Sequence, residues 1–168
     1  MHLKFIKKQR SRVSLTNFSI RKGQSSDWQQ ITFFQKQMAL ETEGKNLDQE
    51  LVSQGVLSVF KKTKGFHKGF YLVAESESSL IGSLLVTREW SDWRNGWFWW
   101  IQSVYVVADW RRKGVYTELH KTLCEIANQE KNICGIRLYV EKTNQKAQNV
   151  YQSLGMSESN YLLYEVEL

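Results

Sequence analysis

The residues best suited to chemistry lie in one run, Val104-Tyr105-Val106-Val107-Ala108-Asp109-Trp110-Arg111-Arg112-Lys113-Gly114-Val115-Tyr116-Thr117-Glu118-Leu119. An apolar strand pattern gives way to three consecutive cations and one glycine, then to amphipathic helical spacing. A helix opening after such a turn leaves its first N–H groups without carbonyl partners, all pointing one way. Those donors, the positive end of the helix dipole and the side chains of Arg111, Arg112 and Lys113 make a site for an anion. A diphosphate can accept several amide hydrogen bonds at once, and a single carboxylate cannot. An ordinary strand-turn-helix with a solvated basic turn carries the same signature.

The elements that must position this run follow from the periodicity of the chain. Phe18-Ser19-Ile20-Arg21 alternates as a first strand. Asp27 stands where it would cap a helix from Trp28, with Ile31, Phe34, Met38 and Leu40 as its apolar stripe and Gly44 as its end. Asp48 would cap a second helix bearing Leu51, Val52, Val56, Leu57 and Phe60, and a loop follows over 61–69. Strands over 70–74 and 80–87, split by a polar turn, read as a hairpin. A tryptophan-rich loop over 90–96 leads to a long strand over 97–106, which feeds the basic turn. A helix over 115–129, a strand over 136–140, a helix over 144–154 and a final strand over 161–166 complete the order. Antiparallel strands come early and a strand-helix-strand crossover late. The class is therefore α+β, a mixed, mostly antiparallel sheet flanked by helices.

Composition narrows the function. The chain has 168 residues, room for one core, so residues 17–168 read as a single domain. Seven of the 23 Lys and Arg residues precede Asp27, the first acidic residue, and the rest of the chain is close to neutral. The net charge of +6 therefore belongs to a basic N-terminal arm, residues 1–16, and not to the domain. A nucleic-acid-binding domain would carry the charge itself, so nucleic acid is disfavoured as a partner. No apolar run reaches the length of a spanning helix or a signal peptide. Two cysteines, Cys124 and Cys134, are too few for a disulfide framework and lack metal-ligand spacing, so a reduced, cytoplasmic protein without a metal is expected.

Two motifs together resemble the GNAT superfamily of acyl-CoA-dependent N-acetyltransferases. The family's pyrophosphate loop, Gln/Arg-x-x-Gly-x-Gly/Ala, is matched by Arg111-Arg112-Lys113-Gly114-Val115-Tyr116, with Tyr116 in place of the last small residue. A second pattern, Asn-x-x-Ala-x-x-x-Tyr-x-x-x-Gly-Phe, is matched by Asn144, Ala147, Tyr151 and Gly155, with Met156 last. The resemblance covers residues 18–168, and the order of elements agrees with it. It implies acetyl-CoA as the cofactor and direct transfer of the acetyl group to an amine. It implies that the backbone of Val104, Tyr105 and Val106 pairs with the pantetheine arm as an added strand would. It assigns the diphosphate to Arg111, Arg112, Lys113, Gly114, Val115, Tyr116 and Thr117, and an oxyanion contact to a backbone N–H near Val104. Bulk at Tyr116 would alter how closely the helix start approaches the phosphates.

By the same resemblance Tyr151 is the general acid for the departing CoA thiolate. A phenol near its reference pKa of about 10 is protonated at neutral pH. A core-facing tyrosine at helical spacing from Ala147 would read the same. Asn144 caps its helix and, by resemblance, contacts the cofactor. Many family members carry a glutamate base on the fourth strand; here Trp99-Trp100-Ile101-Gln102-Ser103 holds no carboxylate. A water on Gln102 or Ser103, or the carboxylate of Glu41 or Glu43, is the alternative, with His67 and His120 behind them. Trp90 and Trp100, with Glu41, Glu43 or Asp92, would suit a cationic amine through cation–π contacts. A loose similarity to the diamine and polyamine acetyltransferase branch favours a small amine over a protein lysine. The missing strand carboxylate leaves a non-catalytic acyl-CoA-binding regulatory domain as the alternative. A homodimer is the common family state.

Overall fold

A computed structural model describes residues 17–61 and 68–166. The basic arm and His67 lie outside the described residues. The elements are β1 (Ser19–Lys22), α1 (Trp28–Glu43), α2 (Gln49–Phe60), β2 (Phe70–Ser76), β3 (Ser79–Ser91), β4 (Gly96–Val106), α3 (Val115–Gln129), β5 (Ile133–Leu138) and α4 (Gln145–Ser153). They form one five-stranded sheet in the order β1-β2-β3-β4-β5, antiparallel except for the β4–β5 pair.

The sheet is apolar on both faces. Leu72, Ala74, Leu84, Val86, Trp99 and Ile101 pack with Val115, Leu119 and Leu123 of α3. On the opposite face Tyr71 and Val73 meet Ile31 of α1 and Val56 of α2. The expected helix ends are those observed at Gly44, which takes a left-handed φ of 65°, and at Asp48, whose side chain accepts from the Leu51 N–H at 2.7 Å. Asp27 does something other than the expected capping of α1. Its carboxylate accepts from Arg21 at 2.8 and 3.0 Å and from the Gln24 N–H at 2.7 Å, pinning β1 to the start of α1.

The expected final strand is not formed. Residues 161–166 are extended in sequence character but have no ladder partner among the described residues, and Tyr161, Leu162, Leu163, Tyr164 and Val166 are exposed. Strand propensity alone does not make a strand, because the backbone groups need a neighbour to bond.

One irregularity in the sheet decides the site. Leu85 pairs with Ser103 while the next residue of β3, Val86, pairs with Ile101. Gln102 is therefore an extra residue in β4, a bulge left out of the ladder. Trp99 and Ile101 before the bulge and Val104 and Val106 after it all face the α3 side. Trp100, Ser103 and Tyr105 face the α1 side.

Candidate active site

β5 runs beside β4 from Trp97 to Ile101, with one register shift after Trp97, and ends at Leu138. Beyond Ile101, β4 runs on through Gln102, Ser103, Val104, Tyr105 and Val106 with no strand on that side among the described residues. The two parallel strands part there and leave a notch whose β4 wall is unpaired backbone. A chain laid into the notch would find the donors and acceptors of a missing strand.

The turn after β4 closes one end of the notch. A short 3-10 turn, Ala108–Trp110, is anchored by Trp110 against Phe18, and Lys113 lies 5.2 Å over the Trp110 ring. Arg112 and Gly114 both adopt left-handed φ, 62° and 81°. The first bond of α3 joins the Glu118 N–H to the Gly114 carbonyl at 3.0 Å. The amides of Val115, Tyr116 and Thr117 consequently have no carbonyl within the helix. A Cβ added at Gly114 would meet nothing within 4 Å, so the space before these amides is open. Backbone donors, open space and exposed Arg112 and Lys113 fit a diphosphate. The bulk of Tyr116 does not obstruct that space. Its ring packs inward against Tyr151 and His120, and its hydroxyl is buried without a partner.

Arg111 behaves differently from its neighbours. It donates through Nε to the Val106 carbonyl at 2.8 Å and pairs with Glu41 at 2.6 Å. Tyr105 donates to the other oxygen of Glu41 at 3.1 Å and stacks on Phe34. The end of α1, the tip of β4 and the basic turn are thus tied through one carboxylate. Glu41 is committed to that tie, and Glu43, a turn-end neighbour, pairs with Lys45 at 2.7 Å.

α4 meets α3 through Tyr151. Asn144 caps it, accepting from the Ala147 N–H at 3.1 Å, and Tyr151 meets Tyr116 edge-on with ring centroids 5.6 Å apart. Burial pushes the Tyr151 phenol above its ordinary pKa, and pushes Tyr116 up further. Both are held protonated at neutral pH. The notch therefore has amide donors at one end and an open strand edge along its length, and Tyr151 packs on Tyr116 of the same helix that supplies the amides. The sequence carries the same plan. A profile of the acetyltransferase (GNAT) family matches residues 28–156.

The chain belongs to the GNAT acetyltransferase family. Members of this family use acetyl-CoA, and the chain is an acyl-CoA-dependent acetyltransferase. A possible acetyltransferase from Clostridium difficile 630 is 41% identical, with a TM-score of 0.82, covering 90% of this chain and 97% of that one. An aminoglycoside acetyltransferase, meta-AAC0020, from an uncultured soil metagenomic sample in complex with sisomicin shares the fold at 16% identity and a TM-score of 0.70, covering 90% and 96%. The aminoglycoside N-acetyltransferase AAC(6')-Iy in complex with CoA shares it at 13% identity and a TM-score of 0.72, covering 89% and 94%. No curated protein matches the chain.

The α1 side of this GNAT sheet carries a polar and aromatic floor beside the bulge. Gln102 donates to Thr87 Oγ1 at 2.9 Å and accepts from the Tyr139 hydroxyl at 2.5 Å. Tyr139 packs on Trp100 at 5.4 Å, and the Trp100 indole N–H donates to Glu89. Arg137 reaches Glu89 at 2.9 Å and lies 3.6 Å over Phe98. Ser103 accepts from Gln35 of α1 at 3.2 Å. Sequence reasoning missed Glu89, Arg137 and Tyr139, which reach this floor only through the pairings Glu89–Phe98 and Arg137–Trp100.

The other tryptophans are dispersed. Trp99 is fully buried, Trp93 is exposed in the β3–β4 turn, and Trp90 packs on Trp97 at 4.9 Å on the face opposite Trp100. Trp90 and Trp100 are not brought together. His120 is buried in α3 beside Cys124, where burial lowers its pKa and keeps it neutral. Among the described residues no group of three His, Cys, Asp or Glu could hold a metal, and no helix is long and apolar enough to cross a membrane.

Proposed function

We propose that this chain transfers an acetyl group from acetyl-CoA to a primary amine of a small molecule by direct attack. The carrying observation is the parting of β4 and β5 beyond Ile101, with the free amides of α3 after it and Tyr151 packed on Tyr116 of that helix. Acetyl-CoA, when bound, supplies the acetyl group as an activated thioester. The amides of Val115, Tyr116 and Thr117, with Arg112 and Lys113, would hold its diphosphate. The backbone of Val104, Tyr105 and Val106 would hold the pantetheine arm. An N–H at the bulge or at Val104 would polarise a carbonyl lying in the notch. Tyr151 Oη keeps its proton because burial raises its pKa, and gives it to the departing sulfur.

The acceptor enters over the floor around the bulge. Trp100 and Tyr139 offer aromatic faces, and Glu89 offers a carboxylate to an ammonium group. The complex of an aminoglycoside acetyltransferase with sisomicin supports a small polyamine-like acceptor for a sheet of this shape. A thiol-release assay over diamines, polyamines and aminoglycosides tests the reading. Turnover with at least one amine, lost in Tyr151→Phe, is expected. Thermal stabilisation by acetyl-CoA with no turnover across the panel would replace this reading with a non-catalytic acyl-CoA-binding domain.

A further inference from the structure

Arg111 opens the pattern matched to a pyrophosphate loop, yet its guanidinium already serves two oxygens of this chain. Nε donates back across the turn to the Val106 carbonyl at 2.8 Å, and Nη2 pairs with Glu41 at 2.6 Å. The guanidinium lies 5.5 Å over the Tyr105 ring, whose hydroxyl donates to the second Glu41 oxygen at 3.1 Å. The carbonyl that Arg111 takes belongs to the open edge. The Val107 N–H donates to Ile81 of β3 at 3.0 Å, and a trans peptide directs the Val106 carbonyl the opposite way, away from β3. That oxygen has two lone pairs, so one is left for a chain laid along β4.

Two halves of the notch meet at this point. The β4 edge ends at Val106, and the amides of Val115, Tyr116 and Thr117 follow the turn. Between them Arg112 holds a left-handed φ of 62°, which a residue other than glycine keeps only where its surroundings over-determine it. The Arg111 side chain clasps 106 to 111 and fixes the near end of that segment. Glu41 in turn fixes Arg111 to the last turn of α1, and Phe34 of α1 packs on Tyr105 at 5.1 Å. Charge also separates Arg111 from its neighbours. Arg112 and Lys113 form no ion pair among the described residues, whereas Arg111 and Glu41 together are neutral.

We propose that Arg111 and Glu41 are positioning residues for the cofactor and that Arg111 is not a ligand of its diphosphate. The clasp sets the β4 edge and the α3 amides at the spacing that one CoA molecule spans. The inference rests on the reading of the notch as the CoA site. It makes cofactor affinity depend on α1, the helix on the acceptor side of the sheet.

Calorimetric titration with CoA tests this with no amine present. Glu41→Gln keeps the shape and an acceptor for Tyr105 while removing one negative charge. On charge alone an anion should then bind more tightly. The clasp requires the opposite, about fivefold weaker binding, the upper range for a half-exposed ion pair. Arg111→Lys keeps the charge but not the fork that serves two oxygens, so it should lose as much, where a phosphate ligand would be served by the lysine. The double variant should bind no worse than either single one, because each breaks the same clasp. In turnover the loss should fall on KM for acetyl-CoA and spare kcat, the split expected of a contact kept from ground state to transition state. The two side chains are 43% and 40% exposed, so folded variants are expected, checked by circular dichroism. Unchanged or tighter binding in Glu41→Gln, wild-type affinity in Arg111→Lys, additive losses in the double variant, or a fall in kcat with KM unchanged overturns the proposal. A wild type that does not bind CoA overturns the reading of the notch, and the clasp with it.

Discussion

Replacing Tyr151 by phenylalanine removes one oxygen and leaves the ring. The ring makes the packing contact with Tyr116 at 5.6 Å, so the fold and its melting temperature should be nearly unchanged. What is lost is a proton donor, and a positioned general acid is worth about 10²–10⁴-fold, or about 3–5 kcal/mol of barrier. Single-turnover acetyl transfer, which separates chemistry from product release, is the measurement to use. The rate constant should fall by that factor while the affinity for acetyl-CoA, which the proposed reading assigns to the α3 amides and the β4 edge, stays as it was. The pH profile supplies a second readout. The active form of Tyr151 is protonated, and burial raises its pKa above the ordinary value, so the wild type should keep its rate through about pH 10 and lose it only above. The Tyr151→Phe variant has no hydroxyl to titrate and should lack that alkaline fall. A rate within about twofold of wild type, or an alkaline limb that survives in the variant, would refute the role of the phenol.

Three other substitutions probe the remaining parts. Gly114→Val forces a branched residue into φ 81°, where open space leaves only backbone strain of about 1–2 kcal/mol. CoA should bind about tenfold more weakly by calorimetry, with a small drop in melting temperature. Asp27→Asn removes the carboxylate whose pKa Arg21 lowers, and should cost about 2 kcal/mol at pH 7 by urea unfolding. That contribution is present above the unfolded pKa of about 4 and fades as pH falls through the lowered folded value, so the wild type loses it in acid and the variant has a flatter acid limb. Glu89→Gln keeps the shape but not the charge beside Trp100. It should raise KM for the amine several-fold with KM for acetyl-CoA unchanged, measured by thiol release.

Much of this arrangement is legible in the chain because it is local. The basic turn, the glycine before α3 and the cap of α4 each depend on a few neighbouring residues. The alternation that sends Trp99 and Trp100 to opposite faces is a property of one strand. Glu89, Arg137 and Tyr139 were hidden because they join only through pairing across three strands. Glu41 was visible as a carboxylate, but not its engagement by Arg111 and Tyr105, which comes from the angle at which α1 crosses β4. The segment 161–166 has strand character and no ladder partner among the described residues, and sequence reports the first without the second. The bulge did leave a trace. Apolar residues directed at α3 occupy odd positions through Trp99 and Ile101, then even ones at Val104 and Val106. Such a change of phase within one strand requires an extra residue.

That extra residue also explains why the site lies where it does. With Gln102 taken into a regular ladder instead of left out of it, every side chain from Ser103 onward would change face. Tyr105 would turn into the α3 core, losing Phe34 and Glu41, while Val104 and Val106 would be presented to α1. Both faces of the sheet are packed, so that slip would set polar groups against apolar ones on each. The bulge is therefore held in place by the core on either side of it. It breaks the ladder beside the last residue that β5 accompanies, and the unpaired backbone it leaves opens onto the notch where the strands part. Ordinary packing of Trp99, Ile101, Val104 and Tyr105 is enough to keep the binding edge exposed before any cofactor arrives.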